Sequence, residues 1–232
     1  MTFYVVTQAK DSAQVYKNTE TLSFEGFVQG LMRINGNNEE AIKTMYTPLP
    51  ADKLGFPNPT GTSLGVLAQM MHIHQLHPGN NNLIHLQQKV QFWINNNLNL
   101  DHLSRVCTYA TFKDETSIEV PLYQWTSDFF VRLGQHVYFG ETLAKIHPNL
   151  PQAFLEFDER IWKVLYPYPG FLSHDMAAGR AEVVSALCKY FRTPKEERSD
   201  AAWLIRAMEE EVTALGIGTE DLSIIVFHLY IA

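Results

Sequence analysis

Residues 149–191, NLPQAFLEFDERIWKVLYPYPGFLSHDMAAGRAEVVSALCKYF, constrain this chain more than any other stretch. Leu150, Phe154, Phe157, Ile161 and Leu165 recur at steps of three and four, which places them on one helix face. Glu156 precedes Arg160, and Glu159 precedes Lys163, by four positions; acid before base favours ion pairs on a solvated helix surface. Pro167, Pro169 and Gly170 end that helix, because proline lacks an amide donor and crowds the preceding turn. Ser173 suits the cap of a second helix whose stripe is Met176, Val183, Leu187 and Tyr190. Arg180 falls on that stripe, where a charge needs a partner or a route to water. The stretch predicts a helical hairpin.

The whole chain, 232 residues, is long enough for one domain with a sizeable core, and its 46% hydrophobic content is ordinary for a globular protein. A net charge of -7 without any basic run argues against a nucleic-acid or anionic-lipid footprint. Cys107 and Cys188 lie far apart with no C-x-x-C spacing and read as buried free thiols of a reducing compartment. No apolar run reaches the length of a bilayer span.

Residues 2–7 (TFYVVT) are β-branched and aromatic and read as a strand, with few others in the chain to pair with. Residues 10–18 read as a short helix, and 24–46 as helical pieces interrupted by Gly26, Gly30 and Gly36. TPLPADKLGFPNPTG, 47–61, is a loop. Helices follow at 63–76, with Leu64, Leu67, Met71 and His74 on one face, at 82–96, and at 121–142, which is aromatic throughout. That aromatic run is read as core packing. Thr193, Pro194 and Glu196 match a capping box for the helix that carries Trp203, Leu204, Met208 and Leu215, which Gly216 ends. After Thr219, Glu220 and Asp221, LSIIVFHLYIA is apolar nearly all round and predicts a helix buried on every side. The chain ends inside that segment without a stop signal, which together with the unpaired opening strand reads as a fragment.

Gly61-Thr62-Ser63-Leu64-Gly65 matches the G-x-S-x-G nucleophile elbow, but a proline-rich loop precedes it instead of a strand, so Ser63 reads as a helix cap. His72, His74 and His77 invite a metal reading. On a helix His72 and His74 diverge, and no nearby carboxylate or cysteine completes a ligand set.

F-L-E-F-D-E-R at 154–160, Y-P-Y-P-G-F at 166–171 and A-G-R-A-E at 178–182 resemble helices F and G of a cytochrome P-450. Within that superfamily the chain is most similar to the cholesterol 7α-hydroxylase and prostacyclin synthase branch, fungal relatives included. The resemblance implies that 1–232 is the N-terminal fragment of one such domain: mainly α, helices B to early I with a lone N-terminal strand, truncated at both ends. It implies haem in the intact parent, with the ligand cysteine and the E-x-x-R pair lying beyond Ala232, so that neither Cys107 nor Cys188 is the ligand and the chain alone is inactive.

It further implies a lipophilic substrate, a reductase partner if the parent is a monooxygenase, and a parent in the cytoplasm or at the endoplasmic-reticulum membrane face. Substrate walls would include Phe56 of the loop and Phe227, Tyr230 and Ile231 of the last helix. The family's W-x-x-x-R for a haem propionate is missing, and His74 or His72 would substitute as donor; the other reading is a core histidine for His74 and a surface one for His72. The turn Tyr166, Pro167, Tyr168, Pro169, Gly170 and Phe171 would be a peripheral membrane contact or a packed turn. A second reading of the whole chain is a non-catalytic helical module binding a lipid or a partner.

Overall fold

A computed structural model describes residues 5–18, 25–165, 168 and 170–230. In chain order its helices are α1 (Ala9–Lys17), α2 (Glu25–Asn35), α3 (Glu39–Tyr46), α4 (Leu64–Leu76), α5 (Asn81–Asn97), α6 (Leu100–Val106), α7 (Leu122–Ile146), α8 (Leu150–Asp158), α9 (Trp162–Leu165), α10 (His174–Arg192), α11 (Trp203–Ala214) and α12 (Thr219–Tyr230). Strands β1 (Phe112–Lys113) and β2 (Ile118–Glu119) form a small antiparallel hairpin between α6 and α7. The protein is mainly α, as its periodicities require.

The expected helical hairpin is the centre of the molecule. α8 packs on α10, and α10 on α12, within one continuous apolar core. Leu150, Phe157, Val183, Leu187 and Tyr190 are buried, each such large side chain contributing about 1.5–3 kcal/mol. Gly179 lets the two helices close up, since a Cβ there would stand 3.2 Å from the Ala153 carbonyl oxygen. α12 is buried from Asp221 to Phe227, and the Phe227 ring meets Phe157 edge to face at 5.2 Å. That surrounds a helix with no polar face to offer.

The first helix of the hairpin is shorter than its stripe predicts. It breaks at 159–161, between α8 and α9, so neither acid–base pair keeps the four-residue spacing of a continuous helix. Both cations turn to Asp175 in the first turn of α10: Arg160 Nε at 3.0 Å and Lys163 Nζ at 2.8 Å. The Lys163 hydrogen bond, helped by the Met176 N–H, pulls the Asp175 carboxyl down to about 2. Arg180 finds its partner on α2, donating to the Ile34 carbonyl at 2.7 Å, near the negative end of that helix.

Other boundaries also differ from the sequence expectation. Gly26 and Gly30 lie inside α2 without interrupting it; only Gly36, at φ +106°, turns the chain. Asp221 then seats α3, accepting from Asn38 N at 2.9 Å and Asn37 Nδ2 at 3.0 Å, while Asn38 Oδ1 caps the Ala41 N–H. The helix expected at 121–142 extends to Ile146 with a kink at Gly140, where φ is +69° and ψ −159°. The Asp200 carboxylate occupies the side of Gly140 where a Cβ would stand and accepts the Glu141 N–H at 2.9 Å.

The capping-box residues start only a 3₁₀ turn, Lys195–Arg198, and Thr193 Oγ1 bonds back to the Lys189 carbonyl. Arg198 is drawn inward there to Glu209, and α11 begins at Trp203 and ends before Gly216, which has φ +79°. Of the expected N-terminal strand, residues 2–4 lie outside the described part; Val5, Val6 and Thr7 are exposed and join no sheet. Among the described residues no helix is long and apolar enough to cross a membrane.

Candidate functional site

Residues 47–61 form a built loop. Asn58, 2% exposed, donates to the Thr62 carbonyl and accepts the Thr62 N–H and hydroxyl, while its own N–H reaches Asp52 Oδ1 at 2.8 Å. Gly61 at φ +69° passes so close to Leu49 that a Cβ would stand 2.5 Å from its carbonyl oxygen. Glu211, buried on α11, accepts the N–H groups of Gly55 and Phe56 at 3.2 and 2.6 Å. Phe56 is thereby held half-buried against His74 and Trp203, with ring centroids 5.7 and 6.0 Å away. Ser63 follows this turn at the start of α4, with no strand before it and 8% exposure, so the elbow geometry is absent.

His74 is not on the buried face of α4. It is exposed, its ring 4.8 Å from that of Trp203 and its Nε2 3.0 Å from Asn80 Nδ2. The buried polar residue on that face is Gln75, which bonds the Asn82 carbonyl and the Leu204 N–H at 3.0 Å each. Leu64, Leu67 and Met71 are buried as expected. His72 points elsewhere, into a cavity of about 400 Å³ shared with Phe130, Val131, Tyr138, Leu204 and Ile205. The two histidines therefore sit in different surroundings, His74 beside Trp203 and Asn80 and His72 in that cavity. Among the described residues no cluster of three or more His, Cys, Asp or Glu could hold a metal ion.

Phe227 is fully buried against Phe157, a core position. The Tyr230 side chain and Ile231 lie outside the described part, as do Tyr166, Pro167 and Pro169 of the aromatic turn. Tyr168 and Phe171 of that turn are exposed, Phe171 to 73%. The aromatic run of α7 divides: Phe139 is core, whereas Tyr123 and Phe130 are exposed to 75% and 63%.

A methionine-lined chamber was not foreseen. It measures about 340 Å³ and lies among α2, α3, α4, α11 and α12, with Met32, Met45, Met208, Ile225 and His228 on its walls. Methionine adapts its shape to irregular apolar contents. Burial pushes the His228 imidazole down to about 4, so it stays neutral, and its Nε2 has no hydrogen-bond partner. A histidine on a helix that is otherwise apolar all round was the one signal in the sequence. No protein-family model matches this chain, and neither the curated proteins nor the solved structures include a match.

Proposed function

We propose that this chain is the N-terminal half of a haem-thiolate monooxygenase of the cytochrome P-450 superfamily, in the sterol hydroxylase and prostacyclin synthase-like branch, and that it shapes the chamber for a lipophilic substrate. One observation carries the reading: the α8–α10 hairpin, with its family-like wording, packs over an α12 that is buried from Asp221 to Phe227 and has an apolar chamber at its side. An apolar cavity with a few polar groups is the ordinary form of a site for such ligands. In the parent enzyme the haem and its cysteine ligand come with the C-terminal half, and that haem supplies the oxygen chemistry. The residues of this chain bind and enclose the substrate; the chain alone does not turn over. A reductase serves the parent as a hydroxylase.

The outer face of α4 supports a missing half. Val66, Met70 and Ile73 stand exposed to 41%, 41% and 66% along one side, an apolar stripe against which a C-terminal half would pack. The non-catalytic binding module is favoured by a different observation: α10, α11 and α2 already cover α12, so the chain buries its own most apolar helix.

The test is to read the transcript past the codon for Ala232. Continuation into an E-x-x-R pair and a glycine-rich cysteine loop supports the monooxygenase. A stop codon directly after Ala232 overturns it in favour of the binding module.

A further inference from the structure

A third cavity, of about 320 Å³, lies between α5, α6 and the N-terminal half of α7, away from the chamber beside α12. Its walls are unusually aromatic for a position so near the surface. Trp93 of α5 meets Phe129 of α7 edge to face at 5.1 Å, and Trp125, one turn before, tilts against the same ring at 5.4 Å. The arrangement leaves ring faces and edges available to a further aromatic group, which prefers such offset or edge contacts.

Among the polar groups of this cavity, which include His102 of α6, the two formal charges are paired. Asp128 and Arg132, one turn apart on α7, form an ion pair at 2.8 Å, so each already has its counter-charge. Burial pushes the Tyr109 phenol up, and the Cys107 thiol hydrogen-bonded to it adds to the rise; burial pushes the His136 imidazole down. Both are thus neutral near pH 7. The Cys107 thiol, 2% exposed, donates to the Tyr109 hydroxyl at 3.7 Å, and that hydroxyl keeps its own hydrogen to donate. Gln135, 4% exposed, adds an amide to the lining.

We infer that the cavity bounded by Trp93, Trp125 and Phe129 is a binding site for a small neutral aromatic compound bearing a hydroxyl or similar polar group, of the phenol or naphthol class. The ring of the ligand packs against the three side chains, and its polar group meets Tyr109 or Gln135. Asp128 and Arg132 hold one another, so neither offers a charged ligand an unpaired counter-ion. The site is separate from the substrate chamber and does not depend on the monooxygenase reading.

Isothermal titration of the full chain with 2-naphthol, 2-naphthoate and 2-naphthylmethylammonium tests this. The expected result is one 2-naphthol site, about tenfold or more tighter than for either charged analogue, and weakened by about tenfold in Phe129→Ala. Absence of 2-naphthol binding, equal binding of the three compounds, or unchanged binding by a cooperatively folded Phe129→Ala overturns the inference. Peptide-resolved hydrogen exchange on the unaltered protein decides the matter if that variant does not fold. Protection by 2-naphthol confined to 93–109 and 125–136 supports the site, and protection centred on α2, α4 and α12 overturns it.

Discussion

The Phe56 amide donates to Glu211 Oε1 at 2.6 Å, across 155 positions of chain, and the neighbouring Gly55 amide shares the same carboxylate. One buried side chain of α11 thus positions the loop that carries Phe56 against His74 and Trp203. Glu211→Gln replaces an acceptor-only group by one that turns a donor toward one of the two N–H groups. The expected loss is about 1.5–3 kcal/mol, the range for hydrogen bonds to a charged group. Urea unfolding measures it, and limited proteolysis should find new cleavage within 51–62. Unchanged stability and an uncut loop would show that Glu211 does not hold it.

Arg198 and Glu209 form a bidentate pair at 2.9 Å for each bond, with side chains only 4% and 10% exposed, and the guanidinium lies 4.9 Å from the Tyr190 ring centroid. Removing one member strands a buried charge. Arg198→Met should therefore cost about 3–5 kcal/mol, whereas Arg198→Met with Glu209→Leu should recover much of the loss, because the pair itself contributes little beyond its own desolvation. A double-mutant cycle by denaturant unfolding checks both; additive losses would contradict the argument.

His228 makes stability depend on pH in a definite direction. Its folded value, about 4, lies below its ordinary 6.5, so the unfolded chain binds more protons between those values. The contribution is fully present above about pH 6.5 and is lost as pH falls toward 4, on the order of 3 kcal/mol across the window. His228→Phe should flatten the pH 4–6.5 part of the stability curve relative to the unaltered protein. Equal slopes for the two proteins would remove His228 as the cause.

At Gly140 the backbone combines φ +69° with ψ −159°, a region that only glycine occupies readily, and a Cβ would stand 2.2 Å from the Asp200 carboxylate. Gly140→Ala should cost about 1–3 kcal/mol from backbone strain alone, and more if Asp200 must leave. A thermal melt of the variant checks the loss. Combining it with Asp200→Ala should restore only the clash, leaving the strain; full recovery would show that the backbone is unstrained.

The mainly α class, the α8–α10 hairpin, the burial of α12 and the stop at Gly216 were legible in the sequence. Each depends on something local: the spacing of apolar residues, an all-round apolar face, or a glycine that can adopt positive φ. Periodicity says which side of a helix is buried, but not what lies against it. Residues 149–165 had the stripe of one continuous helix, yet the turn at 159–161 and the pull of Asp175 on Arg160 and Lys163 redirected both cations. His74 took its place on a face judged by spacing alone, and Gln75, one position on, holds the interior bonds to Asn82 and Leu204.

The cavities were further from reach, since their walls come from helices far apart in the chain. Nothing in the order of residues states that Met32 and Met208 share a chamber with His228, that Trp93 and Phe129 meet edge to face, or that Arg180 reaches the Ile34 carbonyl. By itself the sequence determined which segments coil and which sides of them avoid water. Only the tertiary structure decided the partners of the buried charges and the shapes of the cavities, because both depend on contacts between distant segments that local spacing does not encode.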